Sequence, residues 1–222
     1  AGDHHGAASR DLVAPRGGDG VTAKRAHFEA LAPRWESFRP SHAAEEAVAR
    51  GLDLVEPLAS AAVVDVGCGT GVVLGPLLHR LGPTGRVLAI DFAQAMVDIA
   101  RARHADPRLR WLCADALAAD VSAGSIDVLL CFDTAPHFPD LQQALATFAR
   151  WLAPGGRLLI WHDIGRERLA LVHGKAGPPL DCDLLPPVGE LAQLAISAGL
   201  LVERAEEDES SYTFLASRAL RG

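Results

Sequence analysis

The feature that most constrains this chain is a glycine-rich run, V-V-D-V-G-C-G-T-G, at residues 63–71. The short, valine-rich stretch before it predicts a buried strand at 62–66, and helical spacing resumes at Val72. Glycines between a strand and a helix let the backbone turn sharply and let a ligand approach without meeting a Cβ atom. Because ligands of open α/β sheets bind beyond the carboxyl ends of the strands, the run predicts a ligand site.

The spacing of these glycines argues against the two common nucleotide-binding loops. A dinucleotide loop has the pattern G-x-G-x-x-G, and counting from Gly67 and Gly69 puts Val72 in the place of the third glycine. A loop that cradles a triphosphate carries a Gly-Lys-Ser/Thr sequence, and no lysine stands here. The pattern therefore disfavours a nicotinamide-dependent dehydrogenase and a phosphate-loop enzyme.

Acidic residues end the next two predicted strands. Asp91 follows V-L-A-I, where a carboxylate can accept hydrogen bonds from both hydroxyls of a ribose. Asp115 follows the third strand, where a carboxylate can accept from the exocyclic amine of an adenine. Each acid alone could be an ordinary helix cap. The glycine loop and the two acids, in order at three successive strand ends, favour an adenosine-containing ligand.

Apolar runs that alternate with helical spacing predict a parallel α/β sheet with helices on both faces. The predicted strands are 62–66, 86–90, 109–113, 126–132, 157–161, 201–205 and 212–217. The predicted helices are 22–38, 41–58, 72–81, 93–103, 141–152 and 188–198, with a turn at 154–156 and an irregular loop at 165–187. The last two strands have no helix between them, so we expect them to be antiparallel neighbours.

Composition narrows the class of protein. At 222 residues the chain fits one domain, with residues 1–20 as a flexible arm and 21–222 as the folded part. A net charge of −7 with no Lys/Arg run disfavours nucleic acid as a partner. No apolar run approaches the roughly 20 residues of a membrane span. The four cysteines form no C-x-x-C pair, which disfavours a disulfide framework or a zinc site and favours the cytoplasm.

Residues 63–163 resemble the class I S-adenosylmethionine-dependent methyltransferases, and most of all the small-molecule branch that includes the ubiquinone and menaquinone methyltransferases. The motifs that carry the resemblance are D-V-G-C-G-T-G at 65–71, I-D-F at 90–92 with Met96, A-D-A at 114–116, I-D-V at 126–128, H-F at 137–138 and L-A-P-G-G-R at 152–157. The segment H-F-E-A-L-A-P-R-W at 27–35 is similar to the short lid of that branch.

The resemblance implies a fold and a division of the chain. The fold is a Rossmann-like α/β sheet of seven strands in the order 3-2-1-4-5-7-6, with strand 7 antiparallel, helices on both faces and an N-terminal helical lid. Residues 21–60 would form the lid and residues 61–222 the core of a single methyltransferase domain.

The resemblance also implies roles for individual residues around the cofactor. Glycines of the loop would line the methionine part, Asp65 would hold the loop or the cofactor's amino group, Asp91 would take the ribose hydroxyls, and Asp115 would meet the adenine amine. Cys131 and Phe132, which end the fourth strand, would flank the methyl-bearing sulfur. The complete set of expected cofactor-binding residues is Asp65, Gly67, Cys68, Gly69, Gly71, Asp91, Phe92, Met96, Asp115, Ala116, Cys131 and Phe132.

Candidates for proton removal follow the fourth and fifth strands. They are Asp133, His137 and His162, the last with Asp163 beside it to fix its tautomer. No metal site is predicted. The side chains of 162–183 that could bind a divalent ion are spaced irregularly and are read first as a solvated loop; they are His162, Asp163, His173, Asp181, Cys182 and Asp183.

Together these features predict S-adenosylmethionine-dependent methyl transfer to a small molecule, with oxygen favoured as the acceptor atom. The D-N-P-P-Y motif of enzymes that methylate nucleobase amines is absent, since residues 133–137 read D-T-A-P-H. Transfer of a different group from the same cofactor, and a non-catalytic cofactor-binding partner subunit, stay open. A monomer or a homodimer is expected. Trp35 and Phe38 could cover the acceptor or could only dock the lid helix.

Overall fold

A computed structural model describes residues 17–38 and 41–220. The helices are α1 (Gly17–Leu31), α2 (Ser41–Asp53), α3 (Leu74–Arg80), α4 (Gln94–Arg103), α5 (Leu141–Trp151), α6 (Arg166–Ala176) and α7 (Val188–Ser197). The strands are β1 (Ala62–Val66), β2 (Arg86–Asp91), β3 (Leu109–Cys113), β4 (Ile126–Phe132), β5 (Leu152–His162), β6 (Leu200–Glu207) and β7 (Tyr212–Arg218). Short 3-10 helices cover Ala32–Phe38, Ala116–Ala118 and Ala135–His137. In the described ranges no helix has the length and apolar character needed to cross a membrane.

The strands form one sheet in the order β3-β2-β1-β4-β5-β7-β6, as the resemblance predicted. Strands β1 to β5 pair in parallel, and β7 runs antiparallel to both β5 and β6. The carboxyl ends of β1, β2 and β4 therefore meet at one edge of the sheet. A reversal of strand order between β1 and β4 is the place where such sheets leave a crevice for a ligand.

Helices cover both faces of the sheet, which is why the central strands are apolar throughout. One face packs α5 and α7 through residues such as Phe148, Trp151 and Leu191 against Val64, Leu129 and other strand residues. The opposite face packs α2 and α3 against the alternate residues of the same strands. Every residue of β1 is buried, as expected of a parallel strand between two helical layers.

The N-terminal region divides into two parts. The described part of α2 belongs to the core, since Val48 and Leu52 are fully buried and the Trp161 Nε1 donates to the Ala47 carbonyl over 3.2 Å. Residues 17–38 instead lie against α4, where Phe28 and Ala32 form a small apolar cluster of their own. We use the name lid for residues 17–38. Residues 1–16 of the expected flexible arm lie outside the described part of the chain.

Two expectations about local structure are wrong. The predicted irregular loop at 165–187 contains α6, whose inward residues Leu169 and His173 are four positions apart while Leu171 and Val172 face solvent, so its apolar pattern does not show a clean helical stripe. The predicted turn at 154–156 lies inside β5, where the register with β4 shifts. Gly155 has a φ of +77° there, so the glycine pair forms an irregularity within the strand.

Candidate active site

A cleft lies over the carboxyl ends of β1, β2 and β4 and is roofed by the lid. It has two adjoining compartments, whose empty volumes of about 490 Å³ and about 540 Å³ include space that is open to solvent. The two compartments share the lining residues Gly67, Asp91, Phe92, Thr134 and His137. Val21, Lys24, Phe28 and Trp35 close the cleft from the lid side. The sequence-predicted ligand site and the observed cleft therefore coincide.

The glycine loop forms the floor of this cleft. Amides of Gly67 and Cys68 both donate to the Ile90 carbonyl, over 2.8 and 3.0 Å, which ties the loop to the end of β2. Gly67 has a φ of +69°, and a Cβ atom there would overlap the Thr134 side chain. Above Gly69, with φ +51°, the nearest atom is the Trp35 Nε1, 4.0 Å from the position a Cβ would take. The loop thus presents bare backbone to the cleft.

Three of the expected cofactor residues lie away from the lining of the cleft, namely Asp65, Gly71 and Cys131. Gly71 is buried under α4, and a Cβ atom there would come within 2.9 Å of the His104 ring, so this glycine serves the packing of the loop. Cys131 is fully buried in the core on the α5 side of the sheet, whereas the next residue, Phe132, lines the cleft. Alternation along β4 separates these two neighbours.

A pair of buried carboxylates lies beneath the cleft. Asp91 accepts from the Gly69 amide and the Ala93 amide, each over 2.9 Å. Burial raises the Asp91 pKa to about 6, against the opposing effect of these two amides. Asp65 is 1% exposed, and burial together with the charge of Asp91 raises its pKa to about 7. Among the described residues, nothing hydrogen-bonds to the Asp65 Oδ2.

The unpartnered oxygen provides a test of fit for a cofactor. A buried carboxylate oxygen without a donor is costly, and a cationic ammonium group is a donor that would offset that cost. Asp91 keeps lone pairs free for hydroxyl donors after its two amide bonds, since each carboxylate oxygen accepts more than one hydrogen bond. The two acids therefore fit a ligand that carries an ammonium group and a diol.

Asp115 caps a short helix and also lines the cleft. Its side chain is exposed and caps the 3-10 turn Ala116–Ala118 by accepting from the Leu117 amide over 2.9 Å. The residue also lines the first compartment together with Ala116. Phe92 lines both compartments and Met96 lines the second, where Met96 is buried in the apolar cluster that includes Phe28 of the lid.

His137 lies between the two compartments and is held by an acid that the sequence did not single out for this role. Its Nδ1 is 2.7 Å from the Asp183 Oδ2. Asp183 also forms an ion pair of 2.6 Å with Lys24, which in turn donates to the His137 carbonyl over 3.3 Å. Burial lowers the pKa of His137, and the Asp183 carboxylate opposes that effect only in part. Nothing in the local pattern joins His137 to an acid 46 residues away.

Asp133 and His162 form a second pair. Asp133 lines the cleft directly after β4 with a φ of +51°, a left-handed conformation that an aspartate adopts only at a cost. The His162 Nδ1 lies 3.0 Å from the Asp133 Oδ1, and the Asp163 amide donates to the same oxygen over 3.3 Å. His162 is buried behind Asp133 and does not line the cleft. His162 thus contacts an acid across the strands, at the end of β4.

The residues of the alternative metal site do not assemble into one. In the described part of the chain no three His, Cys, Asp or Glu side chains are grouped as metal ligands. His173 Nδ1 lies instead 2.6 Å from the main-chain oxygen of Asp183. Of the two candidate lid aromatics, Trp35 lines the cleft and packs on Phe28, whereas Phe38 is 61% exposed.

Known proteins that are similar to this chain in sequence include methyltransferases. The family described as "Methyltransferase domain" matches residues 63–156. Nocamycin O-methyltransferase of Saccharothrix syringae is 40% identical over 126 residues, which are 55% of this chain and 43% of that protein. A ubiquinone biosynthesis O-methyltransferase of Stutzerimonas stutzeri is 30% identical over 172 residues, which are 74% of this chain and 72% of that protein.

A solved structure with the same fold is an S-adenosylmethionine-dependent methyltransferase from Aquifex aeolicus. It matches with a TM-score of 0.67 and 20% identity over 87% of this chain and 97% of that chain. The chain spans less than half the length of some of its relatives, for example 43% of the nocamycin enzyme and 40% of the biotin biosynthesis bifunctional protein of Bordetella avium. From its motifs, its sheet order and these relatives, the chain belongs to the class I S-adenosylmethionine-dependent methyltransferases.

Proposed function

We propose that this chain transfers a methyl group from S-adenosylmethionine to a small-molecule acceptor, with an oxygen atom as the favoured nucleophile. The observation that carries the proposal is the buried, unpartnered Asp65 Oδ2, which feels the charge of Asp91 and directly precedes the cleft-lining residues Val66 and Gly67. This arrangement suits a ligand that carries both an ammonium group and a ribose, which distinguishes S-adenosylmethionine from a dinucleotide.

Each end of the cofactor has residues suited to hold it. Asp65 would take the ammonium group, and Gly67 and Gly69 would let the methionine part lie close to the backbone. Asp91 would take the ribose hydroxyls. The first compartment, lined by Asp115 and its neighbours, would hold the adenine, with Phe92 packing on the ring. When bound, S-adenosylmethionine supplies a methyl group on a positively charged sulfur whose departure as a thioether is favourable.

His137 is the best-placed residue for removing a proton from the acceptor. It lines both compartments, and its Nδ1 faces Asp183, which fixes the tautomer with a proton on Nδ1 and leaves Nε2 as an acceptor. Because burial lowers its pKa, the ring is neutral at pH 7 and able to take a proton. Lys24 balances the charge of Asp183, so the carboxylate orients the ring without forcing it to be protonated.

Asp133 is a second polar group in the cleft, and His162 acts on it from behind. The 3.0 Å contact between His162 Nδ1 and Asp133 Oδ1 fixes the Asp133 side chain in the cleft. We assign Asp133 to orienting a hydroxyl donor of the acceptor and His162 to positioning Asp133. The left-handed backbone of Asp133 supports a role at the site, because such strain collects where function needs it.

The shape of the cleft supports an acceptor of small size. The lid closes over the second compartment with Phe28 and Trp35, and Phe132 forms the opposite wall. An aromatic roof limits the access of water and holds the reacting groups at close range, which is the main task of the protein in a direct methyl transfer. A cytoplasmic location, a monomeric or homodimeric state and the lack of a nucleic-acid partner belong to the same proposal, supported by free cysteines and a net charge of −7.

Calorimetric titration with S-adenosylmethionine and S-adenosylhomocysteine tests the cofactor directly. We expect micromolar binding of both, no binding of NAD, and loss of binding in Asp91→Ala. An Asp98→Asn variant, which removes one charge from the exposed face of α4, serves as the matched control and should bind like the wild type. A folded wild-type chain that binds neither compound would contradict the proposal.

Product analysis separates methyl transfer from its two rivals. Incubation with S-adenosylmethionine and a panel of phenols, quinols and carboxylic acids should yield S-adenosylhomocysteine together with a product heavier by one methyl group. A different sulfur-containing product would indicate transfer of another group. Tight cofactor binding with no turnover across the panel would favour a non-catalytic partner subunit.

A further inference from the structure

The start of α4 is capped by the lid. Helix α4 begins directly after Asp91 and Phe92, and its N-cap residue is Ala93, whose side chain cannot accept a hydrogen bond. The first amides of a helix have no partner inside the helix and need one elsewhere. Asp91 takes the Ala93 amide over 2.9 Å, and Glu29 of α1 takes the Gln94 and Ala95 amides over 2.7 and 2.8 Å.

These two carboxylates share one helix N-terminus while they belong to different parts of the site. Asp91 is the proposed ribose ligand at the floor of the cleft, and Glu29 sits in the lid, 65 residues earlier in the chain than Gln94. Glu29 follows Phe28, whose ring packs 5.7 Å from the Phe92 ring. The contact therefore joins the roof of the cleft to the residues that hold the cofactor.

We propose that Glu29 is a positioning residue that locks the lid onto the start of α4 and so slows the departure of the cofactor from Asp91. This inference rests on the proposed function. A bidentate carboxylate on two helix amides is a charge-assisted contact, favoured further by the partial positive charge of the helix N-terminus. Phe28 and Trp35 line the cleft from the lid, so the contact that keeps the lid in place should slow the departure of a ligand held beneath them.

The other lid contacts differ from this one in kind. Lys24 joins the lid to Asp183 by an ion pair, and Glu36 joins it to Arg103 over 2.6 Å. Both are ion pairs between side chains; Arg103 is the last residue of α4, at the end of the helix far from Asp91, and Lys24 also donates to the His137 carbonyl. Of these three lid residues, Glu29 alone binds the first amides of α4, those of Gln94 and Ala95, which follow the Ala93 amide that Asp91 takes. It is thus the contact best placed to couple lid closure to Asp91.

A plain capping role is the rival explanation, and a second substitution separates the two. Glu29→Ala removes both the cap and the lid contact. Adding Ala93→Ser gives α4 a local cap, because a serine at the N-cap accepts from an amide in the first turn. The double variant therefore restores the helix start without restoring the link between lid and helix. Asp98→Asn on α4 is the control for the loss of one negative charge.

The experiment measures the dissociation rate of S-adenosylhomocysteine by stopped-flow fluorescence and the melting temperature of each variant. We expect dissociation on the order of tenfold faster in Glu29→Ala, given the strength of charge-assisted hydrogen bonds, and equally fast in the double variant although its melting temperature recovers. The control should keep the wild-type rate.

Two results would overturn the inference while the proposed function stands. One is a wild-type dissociation rate in Glu29→Ala. The other is recovery of the rate together with the melting temperature in the double variant, which would reduce Glu29 to a helix cap. Failure of the wild-type chain itself to bind S-adenosylhomocysteine would overturn the proposed function, and this inference with it.

Discussion

In the folded protein without ligand, burial disfavours the charged form of Asp65. Its pKa of about 7 and the value of about 6 for Asp91 both exceed the ordinary value of 3.8, because burial disfavours the charged forms. The folded chain therefore holds more protons than the unfolded chain between about pH 4 and pH 7. The two groups therefore make their full contribution to the free energy of unfolding below about pH 4, and that contribution is lost as the pH rises through about 7.

The first prediction concerns Asp65→Asn at pH 8. Removing a charge that is costly to bury should raise the melting temperature of the ligand-free protein, by about 2–4 °C for each kcal/mol gained. The same change should weaken S-adenosylmethionine binding at least tenfold, because the ammonium group loses its anionic partner. Scanning calorimetry and titration calorimetry measure the two effects. Asp120→Asn on the surface is the control, and a lower melting temperature in Asp65→Asn would refute the argument.

The second prediction concerns the pH dependence of turnover. If His137 accepts the proton, kcat falls as the pH drops through a pKa below 6.5, since a protonated imidazole has no free lone pair. His137→Gln should lower kcat by roughly 10²–10⁴-fold and should remove that acidic limb. The measurement uses kcat and not kcat/KM, because Asp65 and Asp91 titrate in the free enzyme. An unchanged acidic limb in the variant would assign the base elsewhere.

Sequence patterns predicted the residues at the strand ends that line the cleft better than the contacts around His137 and His162. Gly67, Gly69 and Asp91 are fixed by a local strand-turn-helix pattern, so their places follow from the order of the chain. The partners of His137 and His162 come from residues far along the chain. Neither Asp183 nor Asp133 could be paired with its histidine before the strands and loops were assembled, because local spacing carries no such contact.

At the scale of elements, the lid is a short helical segment attached mainly by Phe28 and by charged contacts. Trp35 is half-buried in it and lines the cleft, whereas Phe38 points to solvent. Trp35 and Phe38 therefore have different surroundings, although the sequence pattern alone does not distinguish their roles. This difference favours a covering role for Trp35 and none for Phe38.

The third prediction is therefore a contrast between two lid variants. Trp35→Ala should reduce kcat/KM by an order of magnitude or more, because a gap in the roof admits water and loosens the reacting groups. Its melting temperature should change by only a few degrees, since the residue sits outside the two main apolar cores. Phe38→Ala should match the wild type in both measurements. A large fall in melting temperature with a proportionate fall in activity would make Trp35 a docking residue.

Strands were easier to predict than the helices and irregular segments around them. Buried parallel strands such as β1 and β4 are continuous apolar runs, and their predicted and observed bounds agree. Helix α6 was missed because its buried positions are few and one of them is His173. The G-G pair in β5 was misread as a turn because glycine marks turns and strand irregularities alike.

At the scale of the whole molecule, segments that are far apart in the sequence contribute residues to the same edge of the sheet. Lys24, Asp65, Asp91, His137 and Asp183 are spread over much of the sequence, and all lie on or beside the same cleft. Lid and core are joined there by the small apolar cluster around Phe28 and Met96 and by ion pairs and backbone contacts. A ligand bound between them is thus part of what holds the two together.

The fourth prediction follows from that coupling. A ligand that binds only the folded chain stabilises it by about 2.7 kcal/mol at a concentration one hundred times its Kd. For a domain of this size S-adenosylhomocysteine should then raise the melting temperature by about 5–10 °C. Because we propose that residues 21–222 form one domain, lid and core should unfold in a single transition that shifts as a unit. Scanning calorimetry with and without ligand, with NAD as the control, checks this. A ligand-dependent transition that separates from an unshifted one would show that the lid and the core unfold independently.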